Sequence, residues 1–243
     1  MSESQTSSSI APVTNRPIGR VLVTGGGSGL GAAVARAVLD AGGTPVVLDR
    51  SIASVSGMEA RELDVSDTRA VELVVAELAH SLGGLDAVVT AAGIDRCGRL
   101  DEVPTDEWER VIAVNLLGTV AVVRAALPHL MQSHGRVVTV ASSLALKAVA
   151  DATAYCASKF GVLGFSRALA AETKGQIGVT TLIPSGMKTR FFDDRDEKYR
   201  PQDDSRLNDP AHVANAVLFA LGQPESSEVR ELVICHAEED SWP

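Results

Sequence analysis

Seven short runs rich in β-branched residues alternate along this chain with five longer stretches of helical periodicity, and few folds accommodate that order. The runs are Val21-Leu22-Val23 and residues 45–48, 63–65, 85–90, 136–141, 179–183 and 231–234; the helical stretches fall near 30–41, 68–82, 105–133, 154–173 and 210–221. Each run is bounded by Gly, Asp, Ser or Thr, as expected of strands buried on both faces. Strand alternating with helix implies a parallel sheet covered by helices on both sides. Right-handed crossovers then leave a doubly wound, Rossmann-type α/β sheet. No internal repeat or change of composition interrupts the pattern, so a single catalytic domain is expected over 17–243. Residues 1–16, rich in Ser, Thr and Gln, read as a disordered tail. The long irregular stretch 184–209 is expected to be a substrate loop, since loops of that length are usually lids or binding segments.

Composition narrows the partners. Hydrophobic residues make up 45% and aromatics only 4%, so the core is expected to be built from Ala, Val and Leu. The net charge is −9, with no dense Lys/Arg run, which disfavours nucleic acids and anionic membranes. Cys97, Cys156 and Cys235 form no CxxC pair and the five histidines show no HExxH spacing, so neither a disulfide framework nor a metal site is expected. Free thiols fit a reducing compartment, the cytoplasm. The N-terminal tail lacks the apolar core of a signal peptide. The most apolar stretch, 111–123, is too short to span a bilayer, so no membrane span is expected.

The first strand runs directly into Thr24-Gly25-Gly26-Gly27-Ser28-Gly29-Leu30-Gly31 and then a helix. Glycines allow a sharp turn and a close approach to a pyrophosphate, whose charge meets the positive end of the following helix. The spacing of Gly25, Gly29 and Gly31 is G-x-x-x-G-x-G; no G-x-G-x-x-G can be placed here, and no Lys-Ser/Thr follows to make a P-loop. A glycine turn without a ligand is the plainer reading, and the position between strand and helix weighs against it. Asp49 ends the second strand, where a carboxylate can accept from both ribose hydroxyls and repel a 2′-phosphate. That favours NAD over NADP. Arg50 beside it keeps NADP in play, because a guanidinium can hold a phosphate.

Tyr155 and Lys159, four residues apart, share one face of the helix after the fifth strand. A free phenol has a pKa of about 10, and a neighbouring cation stabilises its phenolate. Ser142 and Ser143 end the fifth strand, on the carboxyl edge where doubly wound sheets bind ligands.

Taken in order, Thr24 to Gly31, Asp64-Val65, Ala92-Gly93, Asn115, Ser143, Tyr155, Lys159 and Pro184-Ser185-Gly186 resemble the short-chain dehydrogenase/reductase family over roughly residues 18–235. The resemblance implies an NAD(P)-dependent oxidoreductase acting on CH-OH groups. In it Tyr155 is the general acid/base, Lys159 lowers its pKa and holds the ribose, and Ser143 stabilises charge on the substrate oxygen. Asn115 holds a water that relays protons from Lys159. The cofactor falls to Gly25, Ser28, Gly29, Leu30, Gly31, Asp49, Asp64, Val65, Ala91, Gly93, Tyr155, Lys159, Pro184, Gly186 and Thr189, with Asp64 and Val65 at the adenine and Thr189 at the carboxamide. The sequence departs from the family in three places. Thr90-Ala91-Ala92-Gly93 replaces Asn-Asn-Ala-Gly, and Pro184-Ser185-Gly186 replaces Pro-Gly. The spacing from Ser143 to Tyr155 is one residue short; Ser142 restores it, whereas strand-end register favours Ser143.

On the substrate side, Leu144, Ala145, Val149 and Ala150 are candidates for one pocket wall, and Ile94, Met187, Phe191 and Phe192 for others. The charged stretch 193–200 is either a lid or a solvated loop. A hydrophobic secondary alcohol or its ketone is the expected substrate. The helix over 111–130 is apolar nearly all round, and the next carries Ala157, Gly161, Gly164 and Ala168, which predicts a homodimer or homotetramer through these helices. Two rivals stand beside this reading: an NADP-dependent 3-oxoacyl- or ketosteroid-type reductase, and a nicotinamide-binding sensor or scaffold without turnover. The Ser, Tyr, Lys and Asn set speaks against the second.

Overall fold

The computed structural model of the chain describes residues 16–239. The tail expected over 1–16 lies, apart from Arg16, outside the described residues. Seven strands form: β1 Arg20–Thr24, β2 Thr44–Asp49, β3 Glu59–Glu62, β4 Ala87–Thr90, β5 Arg136–Val140, β6 Gly178–Pro184 and β7 Glu231–Ile234. They make one sheet in the order β3-β2-β1-β4-β5-β6-β7, with every pairing parallel. The helices are α1 Gly29–Asp40, α2 Thr68–Ser81, α3 Thr105–Ile112, α4 Thr119–Ser133, α5 Thr153–Glu172 and α6 Pro210–Leu221.

The two-sided burial read from the strands follows from the pleat. Val21 and Val23 of β1 pack with Val34 and Val38 of α1 and Val213 and Val217 of α6. Leu22, between them, points the other way into Val75 and Leu78 of α2 and Val122 of α4. All of these side chains are fully buried. Strand order reverses between β1 and β4, and the crevice beyond their carboxyl ends is where doubly wound sheets take ligands.

Two elements differ from expectation. The third strand forms at Glu59–Glu62, not at residues 63–65. It is an edge strand, where charged residues are favoured because they discourage further pairing, and Arg61 pairs with Glu59 at 3.0 Å. Leu63 and Val65 are instead buried in the turn that follows. The helix expected over 105–133 is interrupted by a π-helical turn at Ala113–Gly118, a local rewinding often found at functional sites. By length and composition Thr105–Ser133 is the one candidate membrane-crossing helix among the described residues. It has residues of the core, Val122, Val123 and Ala126 among them, packed beneath the sheet.

Candidate active site

A cavity of about 860 Å³ opens at the carboxyl ends of the central strands. Every residue singled out for the cofactor, from Gly25 to Thr189, lines it, as do Ser142, Ser143, Tyr155 and Lys159. Asn115 does not.

At one end the cavity meets the start of α1. Its N-cap, Ser28, makes no side-chain capping bond, and no acidic residue sits in the first turn. The positive helix end and its first N–H groups are therefore uncompensated. The loop leading there is closely folded. A Cβ at Gly31 would lie 2.2 Å from the Gly25 carbonyl oxygen, and Gly25 itself has φ of 70° with the Ala92 backbone nitrogen 2.7 Å from where a Cβ would stand. Thr24 Oγ1 accepts from Ala92 N–H at 3.2 Å, tying the β4 loop to β1 where the family has asparagines. Asp49 accepts from Gly27 N–H at 2.8 Å and from Ser51 N–H at 3.0 Å, so it braces the glycine turn while lining the cavity. Asp64 accepts from Ser66 N–H at 2.9 Å and from Ser66 Oγ–H at 2.7 Å, and also binds Arg110. Burial pushes the Asp64 carboxyl up, but the hydrogen bonds from Arg110 and Ser66 together outweigh it and bring it down to about 2. An uncompensated helix end, a tightly turned backbone and a carboxylate at the end of β2 fit a dinucleotide.

At the other end the first turns of α5 bring Tyr155 and Lys159 together, with Lys159 Nζ 5.6 Å from the phenol ring centroid. Lys159 is buried, and Nζ donates to the Val140 carbonyl at 2.9 Å. Burial pushes its ammonium down to about 8, against a smaller raising effect from Asp95. Burial likewise raises the Tyr155 phenol above its ordinary range, and a hydrogen bond with Ser142 acts in the opposite sense. Ser142, the alternative with the longer spacing, and Ser143 both line the cavity beside the phenol. Ser142 Oγ also accepts from Leu144 N–H at 3.1 Å, while Ser143 opens the following 3₁₀ turn. Asn115 is wholly buried in the π turn. Its Oδ1 accepts from Ile94 N–H at 2.8 Å, and its Nδ2 donates to the Ile94 carbonyl at 2.8 Å and to Ser158 Oγ at 3.0 Å. Its side chain thus pins the loop after β4 to α5.

The model of the family described as short chain dehydrogenase matches residues 19–200. The chain belongs to the short-chain dehydrogenase family. An uncharacterized oxidoreductase of Staphylococcus aureus strain MW2 is 31% identical over 224 residues, covering 88% of this chain and 95% of that one. Among solved structures, an alcohol dehydrogenase from Thermococcus sibiricus complexed with 5-hydroxy-NADP is similar with a TM-score of 0.80 and 25% identity, over 90% of this chain and 97% of that one. The ligand-free aldohexose dehydrogenase of Thermoplasma acidophilum shares the fold, with a TM-score of 0.81 and 24% identity over 88% and 91% of the two chains. As a short-chain dehydrogenase the protein is an NAD(P)-dependent oxidoreductase acting on CH-OH groups.

The substrate side of this short-chain dehydrogenase matches expectation in part. Ile94, Leu144, Met187, Phe191 and Phe192 line the cavity. Ala145 belongs to the core beneath it, and Val149 and Ala150 lie off it, Val149 being exposed. The loop over 184–209 is ordered by 3₁₀ turns at Arg190–Phe192 and Glu197–Tyr199 and lies over the site, with Phe191 5.7 Å from the Tyr155 ring. Its Arg195 pairs with Asp95 of the β4 loop. Sequence reading misses this pair, because its members lie far apart in the chain. The one signal available was a carboxylate two residues beyond Gly93.

Proposed function

We propose that the protein transfers a hydride between NAD and a secondary alcohol or its ketone, with Tyr155 as the proton donor and acceptor. The observation that carries this reading is the buried Tyr155–Lys159 pair, with Ser142 and Ser143, in the same cavity as the α1 end and Asp49. When bound, the nicotinamide accepts or returns the hydride. The chain's own residues do the rest. Tyr155, a phenol that burial raises above its ordinary range, supplies a proton to a carbonyl oxygen, or in its phenolate form takes one from an alcohol. Ser142 and Ser143, both on the cavity wall, offer hydroxyls to the developing oxyanion. Lys159 presents its ammonium beside the phenol and stabilises the phenolate form. Phe191, with its ring 5.7 Å from that of Tyr155, gives the phenol an apolar neighbour.

Asp49 supports NAD, because its carboxylate at the ribose end of the cavity opposes a second phosphate. Arg50 lines the same wall and supports the NADP reading, as does the NADP-type ligand of the Thermococcus sibiricus relative. Titration of the protein with NADH and NADPH separates the two. Tighter binding of NADH, with the preference lost in Asp49→Ala, is the expected result; tighter binding of NADPH would assign the phosphate to Arg50.

A further inference from the structure

In the loop after β6 no residue from Gly186 to Leu207 is fully buried, so little of that loop's hold over the cavity comes from core burial. Polar contacts hold it, and two of them cross to the opposite wall. Arg195 Nη2 stands 2.6 Å from Asp95 Oδ2 in the loop after β4, and the side chains are only 17% and 2% exposed for Arg195 and Asp95. The Tyr199 hydroxyl donates to Asp151 Oδ2, just before α5, at 3.1 Å. Both anchors belong to one piece of wall, because Gly98 N–H donates to the Asp151 carbonyl at 2.8 Å and Gly98 forms a bridge with Ala152. The Cys97 thiol fixes Asp95 further, donating to Oδ2 at 3.2 Å.

Arg195 is also the centre of the loop's own contacts. Its Nη1 donates to the Tyr199 carbonyl at 3.2 Å, and its carbonyl accepts from Arg200 Nε–H at 2.7 Å. Its guanidinium lies 4.6 Å from the Phe192 ring centroid and 5.5 Å from that of Phe191, whose ring in turn stands 5.7 Å from that of Tyr155. A planar guanidinium can lie against aromatic rings while it pairs with a carboxylate, which an ammonium on a flexible stem does less well. Removing the cation from a carboxylate as buried as Asp95 is strongly unfavourable. The pair therefore fixes Arg195, and the two rings against it, in one place.

We propose that Asp95 and Arg195 are positioning residues: their ion pair fastens the loop after β6 across the cavity and sets Phe191 and Phe192 as the aromatic wall for the substrate's carbon skeleton. The fastening rests on the contacts above, and its consequence for an alcohol rests on the hydride-transfer reading. The pair acts through the two rings and not on the reacting atoms. Tyr199 and Asp151 make the second attachment, farther along the same loop.

The test compares the wild type with Asp95→Asn, Arg195→Met and the double variant. The double variant leaves neither charge of the pair buried alone, so the comparison stands even where a single variant fails to fold. Hydrogen exchange read by mass spectrometry reports on the loop and needs no turnover. Steady-state kinetics with NAD and a panel of secondary alcohols, isopropanol and cyclohexanol among them, report on the wall. Amides of residues 190–200 should exchange about tenfold or more faster in each single variant, and no faster again in the double variant, since the two side chains act as one unit. For the best-oxidised alcohol kcat/KM should fall by about tenfold or more. The fall should come through the KM for the alcohol and not through kcat, because a wall binds ground and transition states alike. Arg195→Lys, which keeps the cation but not the plane, should lose less than Arg195→Met. Loop exchange or an alcohol KM unchanged in Asp95→Asn, or effects of the two substitutions that simply add, would overturn the inference. A loop loosened as expected in the variants of a wild type that oxidises no alcohol would instead overturn the hydride-transfer reading and leave the fastening standing.

Discussion

Lys159 shows most directly how this site sets function against stability. Its ammonium is buried with a backbone carbonyl for company, and burial holds its pKa at about 8 against 10.5 for an unperturbed lysine. Below pH 8 folded and unfolded chains both carry the proton, and the buried charge then lowers stability most, on the order of 3 kcal/mol. Between pH 8 and 10.5 the unfolded chain binds more protons than the folded one, so stability rises with pH until the penalty is gone. Lys159→Met is therefore expected to raise the melting temperature of the cofactor-free protein at pH 7, to lose that advantage by pH 10.5, and to lose activity. Melting curves of both proteins across this range check it; a variant less stable at pH 7 contradicts the account. Tyr155 and Lys159 were legible in the sequence because helical spacing alone places them together. That Ser142 and Ser143 both reach the cavity was not, because it depends on how the chain turns out of β5 into a 3₁₀ turn, which strand register does not encode.

Among the elements, the β1–α1 connection was the most legible, since glycines at this density between a strand and a helix leave little else for them to do. Gly31 packs so closely on the Gly25 carbonyl that a methyl group has no room. Gly31→Ala should displace the loop from the start of α1, lower the melting temperature by several degrees, consistent with about 1–3 kcal/mol of overpacking, and weaken NADH binding by tenfold or more. Calorimetric titration beside a thermal scan tests this; unchanged NADH affinity would show that the loop does not hold the cofactor. Other elements were hidden for physical reasons. At the edge strand β3, Glu59, Arg61 and Glu62 carry no apolar signal, so the nearest apolar run, Leu63 to Val65, drew the assignment. The π turn at Ala113–Gly118 arises within an apolar helix whose periodicity continues on both sides. The side-chain contacts of Asn115 were hidden with it, because its partners, Ile94 and Ser158, belong to other elements.

At the scale of the whole molecule, the outer surface of the α4–α5 layer carries apolar side chains that folding leaves uncovered. Leu117 is 50% exposed and Phe160 44%, and nothing lies within 4 Å of where a Cβ at Gly164 would stand. We propose that a second copy of the chain covers this face. Sedimentation velocity should give a dimer or tetramer, and Phe160→Asp, at an exposed position, should shift it toward the monomer while leaving the fold intact; a monomeric wild type contradicts this. Hydride transfer in the cavity depends on the Tyr155 phenol, and one comparison shows whether it does. NADH formation from a panel of secondary alcohols and polyols would be measured for the wild type and for Tyr155→Phe, alongside NADH affinity. The account predicts turnover by the wild type, a fall of about 10²–10⁴-fold in Tyr155→Phe, as expected on losing a general acid/base, and NADH affinity that stays within a few-fold. A Tyr155→Phe protein as active as the wild type, or a wild type that binds NADH and oxidises nothing in the panel, would contradict it.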